Sequence, residues 1–202
     1  MYFVKTPWYL KSVYPSLIWE IKKENTLYLT FDDGPIPYVT EEILNILKDY
    51  NAGATFFCIG ENVQLHRNIF NRIVDEGHQT GNHTYHHYNG WKTENKIYVD
   101  DVMQCELEVP GNLFRPPYGR ISYQQIQELK KNFRIVMWDV LSGDFDTAID
   151  AEKCQKNVVD NAVSGSIVVF HDSLKAKDRV LKSLPVVLEH FSERGFKFDP
   201  IT

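Results

Sequence analysis

The stretch that most directly predicts the fold is residues 27–50, LYLTFDDGPIPYVTEEILNILKDY. It begins with a compact apolar and aromatic run, Leu27 to Phe31, which is typical of a buried strand. After a segment with glycine and prolines, Thr40 resembles a helix start, and apolar residues then recur at helical spacing up to Tyr50. A buried strand followed directly by an amphipathic helix is the unit from which parallel α/β sheets are built.

The same alternation continues along the chain and favours an α/β fold. Strands are predicted at residues 27–31, 55–59, 78–81, 113–115, 135–138, 167–170 and 196–198. Helices are predicted at 40–50, 68–76, 96–108, 123–131, 151–163 and 179–194. This number of strands suits either a barrel or an open doubly wound sheet.

Length and charge restrict the classes of function. With 202 residues, of which 43% are hydrophobic, the chain is expected to form one globular domain. We predict a catalytic domain at residues 27–202, preceded by an appendage at residues 1–26 that packs on it. The net charge of -5 and the lack of lysine or arginine runs argue against nucleic acid as a partner.

The first 21 residues contain no long apolar stretch. Pro7, Lys11, Pro15 and Glu20 interrupt the segment, so it predicts neither a signal peptide nor insertion into a membrane. By that criterion the expected location is cytoplasmic.

Chemically active side chains follow the predicted strands. Asp32 and Asp33 come directly after the first strand, and single residues follow the third to sixth strands: His83, Arg115, Asp139 and His171. In parallel α/β folds the carboxyl ends of the strands lie on one face, and the loops of that face carry the active site. We therefore expect these residues to share one cleft.

Asp33, His83 and His87 have the composition of a catalytic metal site. His83 and His87 are four residues apart in HTYHH and would project from the same side of a helical turn, whereas His86 would face elsewhere. With Asp33 they form a set of two imidazoles and one carboxylate, which leaves a coordination position open for water or substrate. Taken separately, the histidines could be a polar helix face and the aspartates a turn cap. Their occurrence at successive strand ends favours one divalent ion, zinc by default, with cobalt or nickel also compatible.

Asp32 is the predicted general base, and Arg115 is predicted to hold a carboxylate in place. Asp32 lies beside the predicted ligand Asp33, and as a general base it would accept a proton from water activated by the metal. Arg115 precedes two prolines that stiffen the chain, so its guanidinium would hold a carboxylate in one orientation. A backbone amide near Tyr118 would stabilise an oxyanion.

His171 is the predicted general acid, because it ends an apolar strand and could protonate a leaving nitrogen or oxygen. The segment after Trp138 offers two carboxylates that would charge and orient its imidazole. Asp144 is the first choice for this role, and Asp139 is the second.

In combination and in order, these residues resemble the polysaccharide deacetylase family, also called the nodulation deacetylase homology domain or carbohydrate esterase family 4. The resemblance runs from about Leu27 to Phe198. Four motifs carry it: TFDDGP at 30–35, HTYHH at 83–87, RPPYG at 115–119 and SIVVFHD at 166–172.

The resemblance implies a distorted (β/α)7 barrel with the active site at the carboxyl ends of the strands. It also implies a hydrolase that removes N- or O-linked acetyl groups from an acetylated glycan, often outside the cytoplasm. The implied roles are metal binding by Asp33, His83 and His87, a base Asp32 kept in place by Arg115, and an acid His171 tuned by Asp144.

Two positions depart from the family pattern. Tyr88 stands where the family often has proline, and Phe145 stands where a tryptophan usually follows the aspartate that Asp144 matches. Neither change affects the catalytic atoms. Phe145 is predicted to line the substrate groove together with Tyr118, but it has no indole hydrogen to donate.

Two other functions are compatible with the sequence. One is a carbohydrate-binding protein without activity on the same scaffold, and the other is a hydrolase with the same machinery that cleaves a non-sugar amide or a cyclic imide. The presence of both Asp32 and His171 favours an enzyme.

Overall fold

The computed structural model describes residues 2–202 and contains one parallel sheet that curls into an open half-barrel. Its strands are β1 (Thr26–Asp32), β2 (Ala54–Cys58), β3 (Gln79–Asn82), β4 (Leu113–Phe114), β5 (Arg134–Ile135), β6 (Val140–Leu141), β7 (Ile167–His171) and β8 (Lys197–Phe198). Seven strands follow one another in the order β5-β4-β3-β2-β1-β7-β6, and β8 pairs with the start of β1. The predicted α/β class and distorted barrel are confirmed.

Helices connect the strands and cover the sheet. They are α1 (Trp8–Val13), α2 (Val39–Asp49), α3 (Gly60–Leu65), α4 (Arg67–Asp75), α5 (Asn95–Glu106), α6 (Tyr123–Leu129), α7 (Ala151–Val159) and α8 (Lys177–Ser192). The six predicted helices are all present near their predicted positions, whereas α1 and α3 were not predicted. Among residues 2–202, none of the helices combines the length and the apolar composition that a membrane span needs.

Strand β1 lies inside the sheet, between β2 and β7, and all seven of its residues are buried. Phe31 stacks between Phe56 of β2 and Phe170 of β7, with ring centroids 5.0 and 6.0 Å away. The same apolar cluster includes Leu44 of α2 and Leu184 of α8, which cover this face of the sheet. Each such fully buried side chain contributes about 1.5–3 kcal/mol, so the central strands form a rigid base for the loops at their carboxyl ends.

The fifth predicted strand, residues 135–138, is wrong in part. Strand β5 ends at Ile135, and β6 begins only at Val140 and joins the opposite edge of the sheet, beside β7. Residues 136–139 cross from one edge to the other, and here the chain pairs with the N-terminal segment: Val136 forms a bridge with Ile18. An apolar run predicts burial, but it does not predict which distant segment the run pairs with. The crossing could therefore not be predicted from the local sequence.

Residues 2–25 lie along this open side of the half-barrel. Lys5 forms an antiparallel bridge with Val140, and the Thr6 hydroxyl donates to the carbonyl oxygen of Trp138 at 2.8 Å. The ammonium groups of Lys5 and Lys11 lie 2.6 and 2.7 Å from the carboxylate oxygens of Asp139. The predicted boundary between an appendage and a catalytic domain at residue 26 stays a prediction.

Candidate active site and metal centre

The predicted site residues come together at the carboxyl ends of the strands, because the sheet register aligns them. Asp32, the last residue of β1, pairs in register with His171, the last residue of β7. Asn82 ends β3 and places His83 at the same edge, and Arg115 directly follows β4. Residues separated by as many as 139 positions therefore share one cleft.

Asp33, His83 and His87 are close enough to hold one ion. Their ligand atoms all lie within 4.8 Å of one another. Oδ1 of Asp33 is 3.7 Å from Nε2 of His83 and 3.2 Å from Nε2 of His87. Tetrahedral zinc with bonds near 2.0–2.1 Å separates its ligand atoms by about 3.3 Å, so this set fits such an ion with little movement.

The Nδ1 atoms of both imidazoles also have hydrogen-bond partners. Nδ1 of His83 lies 2.8 Å from the carbonyl oxygen of Arg115, and Nδ1 of His87 lies 3.2 Å from the hydroxyl oxygen of Tyr118. If Nε2 binds the ion, each Nδ1–H donates to its oxygen partner, and this fixes the tautomer and the orientation of the ring.

Charge states in the cluster suit metal binding. Burial lowers the pKa of His83 to about 4, so its imidazole is neutral at pH 7, as a ligand must be. Burial acts to raise the pKa of Asp33, but the hydrogen bond from His87 and the nearby imidazole charges outweigh it and hold that pKa well below its ordinary value. Asp33 is therefore ionised.

The helical turn predicted for residues 83–87 is wrong. These residues form an irregular loop in which Thr84 and His87 have positive φ angles of 63° and 58°. Oδ1 of Asn82 accepts the Thr84 N–H, and Oδ2 of Asp101 accepts the N–H groups of Tyr85 and His86. Because side-chain acceptors take these N–H groups, the chain does not form helical hydrogen bonds, yet the loop still brings His83 and His87 together.

Asp101, which orients this loop, was not identified from the sequence. Asp101 is a buried residue in α5. Its Oδ1 accepts a hydrogen bond from Nδ1 of the His86 ring and so fixes the orientation of that ring. An acidic residue within a predicted helix is usually solvent-exposed, so the sequence carried no signal for this role.

Asp32 and Arg115 form a buried ion pair beside the metal cluster. Nη1 of Arg115 lies 2.6 Å from Oδ1 of Asp32 and 2.7 Å from the hydroxyl of Thr30. The guanidinium also donates to the carbonyl oxygens of residues 136 and 137 and lies 4.1 Å from the centroid of the Phe57 ring. Arg115 is fully buried, so this network fixes both the guanidinium and the carboxylate that it holds.

His171 and Asp144 form the second pair. Nδ1 of His171 lies 2.7 Å from Oδ1 of Asp144, and Oδ2 of Asp144 accepts the backbone N–H of His171 at 2.7 Å. Burial lowers the pKa of His171, but the charge and the hydrogen bond of Asp144 raise it more, to about 9. The imidazole is therefore protonated at pH 7, and its Nε2 is the nitrogen that can donate to a substrate.

The second choice for this carboxylate, Asp139, was wrong. Asp139 precedes β6, and its N–H donates to the carbonyl oxygen of Ile167 at the start of β7, at the opposite end of the strand from His171. Its carboxylate accepts from Ser166, Lys5 and Lys11. Asp139 ties the N-terminal segment to the sheet and is not part of the cleft.

Aromatic rings flank the two pairs. Tyr118 lies in a short 3₁₀ turn (Pro117–Gly119), and its exposed ring is 4.8 Å from the His87 ring. Phe145 packs edge-on against His171 at 5.3 Å, and Tyr2 packs on the other side of Phe145 at 5.0 Å. The contribution of Tyr2 was not predicted, since nothing local in the sequence relates residues 143 positions apart.

Comparisons with known proteins agree with this geometry. The model of the polysaccharide deacetylase family matches residues 20–133. The chain is 37% identical over 172 residues to a peptidoglycan-N-acetylglucosamine deacetylase of Bacillus cereus, an alignment that covers 77% of this chain and 62% of that protein. It is 31% identical over 201 residues to the chitooligosaccharide deacetylase of Azorhizobium caulinodans, covering 89% of this chain and 94% of that one.

The fold is also similar to that of a solved relative. The peptidoglycan N-acetylglucosamine deacetylase Bc1960, in complex with 4-naphthalen-1-yl-N-oxidanyl-benzamide, superimposes with a TM-score of 0.89 at 30% identity. The match covers 97% of this chain and 95% of that chain. The likeness therefore includes the N-terminal segment as well as the sheet.

Proposed function

Because the chain belongs to the polysaccharide deacetylase family, we propose that it is a metal-dependent hydrolase that removes acetyl groups from an acetylated glycan. One observation carries the proposal. The ligand atoms of Asp33, His83 and His87 lie within 4.8 Å of one another, at the strand edge that also carries the Asp32 and His171 pairs. Such a site offers ion binding, a base and an acid for one hydrolytic step.

In the proposed mechanism, a divalent cation held by Asp33, His83 and His87 supplies the Lewis acidity that makes water nucleophilic near neutral pH. Asp32 accepts the proton of the attacking water. Its Oδ1 is engaged by Arg115, which leaves Oδ2 as the proton acceptor. A backbone amide near Tyr118 donates to the developing oxyanion.

His171 completes the reaction by donating the Nε2 proton to the leaving nitrogen or oxygen as its bond to the carbonyl carbon breaks. The products are acetate and the free amine or hydroxyl of the sugar. Asp144 stabilises the charged imidazole before the proton is transferred, so His171 is protonated at neutral pH. The proton that Asp32 has taken up is balanced by the one that His171 has given.

Zinc is the proposed ion, since two imidazoles and one carboxylate suit it, and cobalt or nickel are compatible with the same ligands. For the substrate we propose a glycan that contains N-acetylglucosamine, as in peptidoglycan or chitooligosaccharide. The names of the two curated relatives support this choice, and the rings of Tyr118 and Phe145 offer apolar surface beside the site.

The test compares Asp32→Asn with His87→Ala on defined acetylated oligosaccharides, measuring acetate release and bound zinc in the same samples. Asp32→Asn should abolish acetate release and keep zinc, because only the proton acceptor is lost. His87→Ala should lose zinc and activity together. Activity of Asp32→Asn near that of the wild type would refute the role of the base, and wild-type activity that resists a chelator would refute metal dependence.

A further inference from the structure

The backbone of Asp33 and Gly34 is hydrogen-bonded at all four of its N–H and C=O groups. The N–H of Asp33 donates to the carbonyl oxygen of Phe57, and the carbonyl oxygen of Gly34 accepts from the N–H of Ile59. The other two contacts come from side chains. Nδ2 of Asn62 donates to the carbonyl oxygen of Asp33 at 2.7 Å, and the N–H of Gly34 donates to Oδ1 of Asp172 at 2.8 Å.

Asp33 needs this restraint because its backbone is in an unfavourable conformation. Its φ angle is +88°, in a region that residues with a Cβ rarely adopt. Such a conformation persists only where the surroundings impose it. If the side-chain contacts were removed, the peptide group between Asp33 and Gly34 would lose the partners of both its C=O and its N–H, and the Asp33 carboxylate would lose its alignment with the two imidazoles.

Asp172 is buried beside Gly34, and its contacts fix the orientation of its carboxylate. It is 1% exposed, and its second oxygen accepts the Thr40 hydroxyl at 2.6 Å, while the Thr40 oxygen accepts the N–H of Ile36. A Cβ on Gly34 would lie 1.8 Å from Oδ2 of Asp172, so the carboxylate touches the backbone at a point where only glycine fits. The two donors require two acceptor oxygens, which a carboxylate provides and an amide does not.

We propose that Asp172 and Asn62 are positioning residues of the metal centre, which hold the Asp33 peptide so that its carboxylate faces His83 and His87. The inference rests on the proposed function, since it takes Asp33 to be a metal ligand. Residues that orient metal ligands in this way change metal affinity by about 10–100-fold when they are removed.

The experiment measures zinc affinity by titration of metal-free protein against a competing chelator, together with thermal unfolding of each metal-free variant. Asp172→Ala and Asn62→Ala should each weaken zinc binding by about 10-fold or more. Asp172→Asn should recover part of the affinity, because its remaining oxygen can still accept from Gly34. The matched control is Asp139→Asn, a buried carboxylate outside the cleft, which should lower the melting temperature and leave zinc affinity unchanged.

The outcomes separate this inference from the function on which it rests. A wild-type protein that binds no zinc contradicts the proposed function. A wild-type protein that binds zinc, with a folded Asp172→Ala variant of equal affinity, overturns the positioning role. If Asp172→Ala does not fold, Asn62→Ala decides, because Asn62 is half-buried on the short helix α3 and contacts the same peptide.

Discussion

Replacing Asp144 with asparagine should move the alkaline limit of activity to lower pH. The substitution keeps the size of the side chain and one oxygen acceptor, and it removes the negative charge beside His171. The acid must be protonated to work, so activity is present below the pKa of His171 and is lost as the pH rises through it. A lower pKa therefore brings the loss to lower pH.

The magnitude follows from the environment of His171. Its pKa is raised from 6.5 to about 9, and after burial, which lowers it, the two largest causes are the charge and the hydrogen bond of Asp144. The difference corresponds to about 3 kcal/mol of interaction with the charged imidazole. Without the Asp144 charge, the pKa should fall to near 6.5 or below. For a pKa of 6.5, the protonated fraction at pH 8 drops from about 90% to about 3%, a loss of roughly 30-fold, and at pH 6 the two proteins differ by less than about 2-fold; a lower pKa widens both differences.

The assay is the pH profile of kcat/KM for acetate release at saturating metal. Asp146→Asn is the control, because it removes a nearby charge that contacts Tyr2 rather than His171. The control should keep the wild-type profile. An Asp144→Asn profile whose alkaline limb coincides with that of the wild type would refute the reasoning that this carboxylate keeps the acid protonated.

Three further predictions follow from the site. Arg115→Met should lower the free energy of unfolding by about 3–5 kcal/mol, because it leaves the Asp32 carboxylate buried and unpaired. Urea denaturation measures the free energy of unfolding, and a decrease of less than about 1 kcal/mol would contradict the prediction. A chelator should abolish acetate release, and added zinc should restore it; recovery with magnesium alone would contradict the ligand assignment. Tyr2→Ala should lower kcat/KM because it removes the ring that packs on Phe145, whereas Tyr2→Phe should keep it. A Tyr2→Ala variant with the kcat/KM of the wild type would show that the contact is dispensable.

The composition of the candidate site could be predicted because it depends on one geometric rule. Parallel strands place their carboxyl ends together, so Asp32 and His171 meet in register although they are 139 positions apart. The same rule failed for Asp139, because the apolar run before it is not one strand: it leaves one edge of the sheet and reaches the other. Side chains beyond the strand ends could not be placed by this rule.

The conformation of the loop at residues 83–87 could also not be predicted from the sequence. The four-residue spacing of His83 and His87 predicts a helical turn, but the side chains of Asn82 and Asp101 accept the backbone N–H groups instead. The two histidines converge in either conformation, so the ligand set survives an incorrect local prediction. Tyr2 and Asp101 were missed because their contacts to the site come from distant segments.

The open side of the half-barrel has a consequence for synthesis on the ribosome. Residues 5–20 find their partners at residues 136–166, so the earliest of these segments to be translated cannot dock until about 130 further residues have emerged. At elongation rates of about 5–20 residues per second this delay is on the order of 10 s. During that interval the backbone bridges of Lys5, Ile18 and Glu20 cannot form, so this segment is fixed only after most of the sheet has been translated.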